Sequence, residues 1–181
     1  MHKAFLFIAL ILSVFRISAQ TPAGAVFPLM ETEDLEGNEV NLPEVFQKEY
    51  ALVGLARSKK AEDDLRSWQK PVYNKFVAKT GMMDAMFDVD VFFIPVFTGA
   101  SKAAKGKVVK KLKENNEPLV RDHLLVFSGS SDPLDDLGMN DKKQPYFFLI
   151  DEAGKVVWSA QGKYRQKHID ALEAVLTGGE P

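Results

Sequence analysis

The residue pattern predicts an α/β fold: a three-layer sandwich with a central mixed β-sheet, helices on both faces and an N-terminal β-hairpin. Three observations carry this expectation. Tyr50–Ala56 and Val89–Phe97 are short, nearly continuous apolar runs, the pattern of strands buried on both faces. Stretches with helical spacing of apolar residues alternate with them. Asp151-Glu152-Ala153-Gly154-Lys155, set between Tyr146–Ile150 and Val156–Ala160, is a strong hairpin signal and adds antiparallel strands.

The elements follow in order. Phe27–Met30 and Glu39–Leu42 flank the turn-rich Asp34-Leu35-Glu36-Gly37-Asn38, giving the first hairpin. Pro43 introduces a short helical turn over Glu44–Gln47. Tyr50–Ala56 takes the centre of the sheet. Ser58 is placed to cap a long helix that reaches about Lys79, with Glu62, Asp63 and Asp64 where negative charge meets the positive end of the helix dipole. Leu65, Trp68, Val72 and Phe76 keep helical spacing, and Pro71 among them predicts a kink. Pro95, inside the second buried strand Val89–Phe97, argues for a strand end or a bulge. Ser101–Asn115 is a lysine-rich helix with Val108, Val109 and Leu112 as its stripe, Leu124–Phe127 a third strand, and Pro133–Leu137 a brief helix. The last helix, Gln166–Leu176, is expected to bury Ile169, Leu172 and Val175 or Leu176 and to stop before Gly178 and Gly179.

Composition narrows the chemistry. The 181 residues include no Cys, so dithiol exchange, thiol peroxidase chemistry, thiolate nucleophiles and Cys-based metal sites are all excluded. A net charge of −2 gives no basic face for nucleic acid, and no cofactor is expected. Residues 1–19, with Lys3 ahead of the apolar run Ala4–Leu12 and Ala19 at the cut, have the layout of a signal peptide. The expected location is therefore exported, periplasmic or secreted, with no stable membrane insertion after cleavage. Residues 20–26 then form a flexible lead-in, 27–177 the folded domain and 178–181 a frayed tail.

Three motifs occur in a familiar order: Phe27-Pro28-Leu29 with Asp34–Val40, then Leu52-Val53-Gly54-Leu55-Ala56, then Gln144–Lys155. With the helices between them, they resemble the thioredoxin-like superfamily, in particular exported members related to cytochrome maturation factors and peroxiredoxins. Leu52–Pro71 with Trp68 and Val157–Gly162 is further similar to the mitochondrial ATP-synthase assembly factor of thioredoxin-like type, whose members commonly lack the reactive cysteines. The resemblance places a Cys-x-x-Cys pair just after the first central strand, where this chain reads Arg57-Ser58-Lys59-Lys60-Ala61-Glu62. It also matches Pro145 to the proline that is cis in such proteins. The backbone of Gln144 would then offer an edge for an extended peptide.

The candidate binding region is this degenerate redox site: Arg57, Ser58, Lys59, Lys60 and Glu62, with Gln144 and Pro145 opposite. The implied role is a non-redox binding domain for a protein or peptide, assisting folding or assembly of envelope proteins. The other reading is a thiol-independent enzyme or small-ligand-binding protein using the carboxylates and lysines of residues 57–64. In either case Glu62 and Arg66 are spaced to pair at i and i+4. No motif supplies catalytic or metal-binding residues. Gly99–Lys107 fails as a phosphate loop on spacing, the Ser130 region lacks the second glycine of a nucleophile elbow, and His123 and His168 stand far apart.

Overall fold

The computed structural model describes residues 24–179. The predicted signal peptide lies outside them, as does the end of the predicted tail. β1 (Met30–Glu33) and β2 (Glu39–Leu42) form the N-terminal hairpin, with Met30 opposite Leu42. Its first strand begins at the residue where the sequence pattern ended it. Asp34 closes the turn by accepting from the N–H groups of Glu36 (2.9 Å) and Asn38 (2.8 Å), and Gly37 takes φ 91°. Burial opposes the Asp34 charge, but the Asn38 side-chain amide (2.7 Å) and these N–H groups outweigh it and hold the carboxyl below its usual range. The helical turn expected over Glu44–Gln47 is a single turn lying slightly earlier, at Pro43–Val45: Val45 N–H returns to Asn41 O and Phe46 N–H to Pro43 O.

β3 (Tyr50–Ala56) lies between β4 (Val89–Pro95), to which it runs parallel, and β6 (Tyr146–Asp151), to which it is antiparallel. β7 (Val156–Gln161) completes the order β4-β3-β6-β7. β5 (Val126–Phe127) pairs with β1, and bonds such as Phe97 N–H to Phe127 O (2.8 Å) join the two sheets through β4. The short β5 replaces a predicted Leu124–Phe127 strand because Leu124 touches β4 only through an isolated parallel bridge to Phe93. Residues 24–26, the end of the predicted lead-in, and Phe27 after them are fastened to the β6–β7 turn: Gly24 N–H donates to Val156 O and Phe27 N–H to Gly154 O, both at 2.8 Å.

The side chains of β3 and β6 alternate between two cores. Leu52, Phe147 and Leu149 face one together with Leu65, Trp68, Val72, Ile169 and Leu172 of helices α1 (Lys59–Val72) and α5 (Gln166–Leu176). Val53, Leu55, Phe148 and Ile150 face the other, where Phe27, Met30 and Leu42 meet Leu134 of α4 (Asp132–Asp136). Helices thus cover both faces unequally, with only the short α4 and the N-terminal segment on the second. Gly54 matters here, since a Cβ would come within 2.5 Å of its cross-strand partner Phe147. Its absence lets Phe147 stack on Trp68 at 3.9 Å, and Trp68 stacks in turn on His168 at 4.6 Å.

Pro71 does not end the long helix. A π-helical turn over Tyr73–Val77 continues it. The lysine-rich helix begins as a 3-10 turn (Gly99–Ala104) before α2 (Lys105–Asn115), and no residue of α2 is fully buried. A four-residue α3 (Pro118–Arg121) starts with proline in its first turn, a signal the sequence carried unused.

Candidate functional site

The strand β3 delivers Arg57 and Ser58 to the mouth of α1. Ser58 is extended (φ −157°, ψ 162°), and its Oγ accepts from Ala61 N–H (3.2 Å) while donating to Lys142 O (2.7 Å). The cap therefore also fastens the loop that precedes β6. Arg57 does the same from beneath: its side chain is only 6% exposed, its Nη1 donates to Met139 O (2.9 Å), and Asp135 lies 3.6 Å away. The Arg57 Nε is buried with no acceptor among the described residues.

Lys59 and Lys60 point outward. Lys59 lies 3.4 Å from Asp63 and Lys60 pairs with Asp64, both as i,i+4 partners on the helix surface. Arg66 reaches Asp63 at 3.7 Å, so the expected Glu62–Arg66 pair is replaced by an i,i+3 contact. Burial pushes the Glu62 carboxyl above its ordinary value; the charge of Asp63 adds to this and those of Arg66 and Lys59 oppose it.

Gln144 and Pro145 belong to the adjoining loop. Gln144 N–H donates to Asp141 O (3.3 Å) and its Nε2 to Asp141 Oδ2 (3.0 Å), while Pro145 O accepts from Gly162 N–H (2.9 Å). Of the Gln144 backbone groups expected to offer a peptide edge, the N–H is thus engaged within the loop. Gln144–Pro145 is a trans peptide, and among the described residues the cis bond is Leu42–Pro43. Backbone donation from Lys143 and the Gln144 amide hold the Asp141 carboxyl below its usual range, so this corner is built around one charged turn residue.

Arg57, Ser58, Lys59 and Glu62 line a cleft of about 560 Å³ that opens on the other side of the helix mouth, toward α2. Its far wall is Val108, Lys111, Leu112 and Asn115, and its floor includes Val96 and Phe97. Lys60, Gln144 and Pro145 are not in its lining. The seven sequence candidates are therefore neighbours in one corner, linked through Ser58 and Lys142, but they divide between a surface and a cleft. Sequence reasoning missed Arg66, Gln69 and Lys111 on this cleft because they come from two helices whose approach no local pattern encodes.

The histidines have packing roles. His123 Nδ1 lies 2.9 Å from Val91 O, and the His168 Nδ1 accepts from Arg165 N–H (3.1 Å) at the start of α5. Burial, with Lys167 and Arg165 nearby, holds His168 below its ordinary value, so the neutral ring that stacks on Trp68 is favoured. Among the described residues no three His, Asp or Glu side chains are grouped to hold a metal ion, and no helix is long and apolar enough to cross a membrane.

The profile of the ATP10 protein family matches residues 20–178. No curated protein sequence matches the chain. Among solved structures, an uncharacterized conserved protein from Geobacillus kaustophilus is similar at TM-score 0.60 and 16% identity, over 89% of this chain and 85% of that one. BsSco, a member of the Sco family of cytochrome c oxidase assembly proteins, gives 0.56 and 18%, over 87% and 95%. A putative thiol:disulfide interchange protein DsbE from Chlorobium tepidum gives 0.55 and 17%, over 88% and 98%. At these identities the structural likeness carries the fold alone, which is thioredoxin-like. The family match overturns the expected periplasmic or secreted location, because the ATP10 family is that of a mitochondrial ATP-synthase assembly factor. The physical reason for the error is that Met1–Gln20 is apolar and basic with no acidic residue, a composition that does not by itself select a compartment.

Proposed function

The chain belongs to the ATP10 protein family, and on that premise we propose that it is a non-redox assembly factor for a membrane ATP synthase, binding a protein partner through the corner that thiol-active relatives use for chemistry. The observation that carries this reading is the rebuilt helix mouth. No thiol is available anywhere in the chain, yet Arg57 and Ser58 hold that corner in shape through Met139 and Lys142. Lys59 and Lys60 are left exposed on it as the outward charges. The proposed contact surface is Lys59, Lys60 and Glu62 with Gln144 and Pro145 beside them, suited to an acidic segment of the partner.

Cells lacking the protein should retain synthase subunits but lose the assembled complex on a native gel. Wild-type chain should restore it and the Lys59→Glu, Lys60→Glu double variant should not. Normal assembly in the null cells would reject the role, and full rescue by the double variant would reject the surface. Insulin reduction by the purified chain would contradict the non-redox premise. A second reading, a small-ligand site, is favoured by one observation, the cleft between α1 and α2.

A further inference from the structure

The cleft of about 560 Å³ lies within the range of small-molecule sites, which favour apolar walls with a few placed polar groups. Its inner part is apolar, with Val96, Phe97, Val108 and Leu112 in the lining, and a smaller pocket beyond it reaches Leu65, Phe93 and Leu124. Cations stand around it. Lys111 has no ion pair among the described residues, Lys59 and Arg66 share the one exposed carboxylate of Asp63, and Arg57 carries its buried, unpaired Nε in the same lining. The first N–H groups of α1 have no intrahelical acceptor and add positive potential at Lys59.

We propose that this cleft binds a small organic anion with an apolar body, of the chemistry of a medium-chain carboxylate. The head group sits against Lys59, Arg66 and Lys111 at the α1 mouth, and the chain runs along Val96, Phe97, Val108 and Leu112. Glu62 is the one acidic side chain in the lining, set among the cations Arg57, Lys59, Arg66 and Lys111. The inference rests on the small-ligand reading of the helix mouth and not on the assembly role.

The test is calorimetric titration of the purified chain with decanoate, decanol and acetate, each below its aggregation concentration. Decanoate should bind at least about tenfold tighter than either of the others, since head and body both contribute. Lys111→Glu and Arg66→Glu together should weaken decanoate at least about tenfold with an unchanged circular dichroism spectrum, and Val108→Trp should fill the cleft and remove binding. Equal affinity for decanoate and decanol, or decanoate binding unaltered by the double charge reversal, would overturn the proposal, as would no binding of decanoate at all. Assembly of the synthase in cells is read separately, so a failure here leaves that role untouched.

Discussion

The two ends of the long helix are built on opposite principles. At its start, Lys59 and Lys60 meet Asp63 and Asp64 on the surface, with the lysine side chains 86% and 65% exposed. At its far end, Lys75 lies in the π-helical turn with 17% exposure, 2.7 Å from Asp84 and paired also with Glu173 of α5. Asp84 is itself buried and accepts from Gly81 N–H (2.6 Å), and Lys75 stands 4.9 Å over the Phe87 ring. Exposed pairs contribute about 0–1 kcal/mol, whereas removing one member of a buried pair costs about 3–5 kcal/mol. The far end therefore fixes the helix against α5 and the segment Asp84–Phe87 that precedes β4, and the mouth is left with charges that can exchange partners. A binding surface is best placed where its charges are not already needed for folding.

That contrast orders the expected effects of substitution. Trp68→Ala, in the middle of the helix, should be the most damaging at about 3–5 kcal/mol in urea denaturation, since it removes the stack on Phe147 and His168 and the bond from Nε1 to Gly162 O. Lys75→Met should cost about 2–3 kcal/mol, less than a fully dry pair because Glu173 is partly exposed. Ser58→Ala should cost about 1 kcal/mol by removing the cap and the tie to Lys142. Lys60→Ala should change stability by less than about 0.5 kcal/mol while weakening partner binding. If Lys60→Ala proves as destabilising as Lys75→Met, the contrast between the two ends is lost.

Acidity sharpens the same comparison. The hydrogen bond from Lys75 holds the Asp84 carboxyl below its usual value against the effect of burial. Its contribution is complete above about pH 4 and is lost as pH falls through the depressed value. Burial opposes the charge on Lys75, but its bonds to Asp84 and Glu173 outweigh that and raise it, so its contribution persists below lysine's ordinary value and is lost as pH rises through the raised one. Asp84→Asn should flatten the acid limb of the stability curve, and Lys60→Ala should leave it as it was.

Much of the fold was legible because it is written locally. The strand Tyr50–Ala56, the cap Ser58 and the helix Gln166–Leu176 are each signalled by their own residues, and the structure places them at those positions. The corner after Ala56 was legible as a location for the same reason, by the missing sulfur where the resemblance expects one. What Arg57 does there was not legible, since its partners Met139 and Asp135 lie about eighty residues away in sequence and only packing brings them together. Nor could the pattern show that Gln144 N–H turns back to Asp141, because a loop of Asp, Lys and Gln has several turns open to it.

The residues alone determined that the chain is an α/β domain without thiol chemistry, for periodicity and the absence of Cys depend on nothing distant, and the resemblance of its motifs added the thioredoxin-like order. Tertiary structure decided which face of the helix mouth is a cleft and which charges are bound into the fold. Those outcomes depend on how α2 rests beside α1 and how Lys75 meets Asp84 and Glu173, contacts between segments whose separate sequences carry no record of each other.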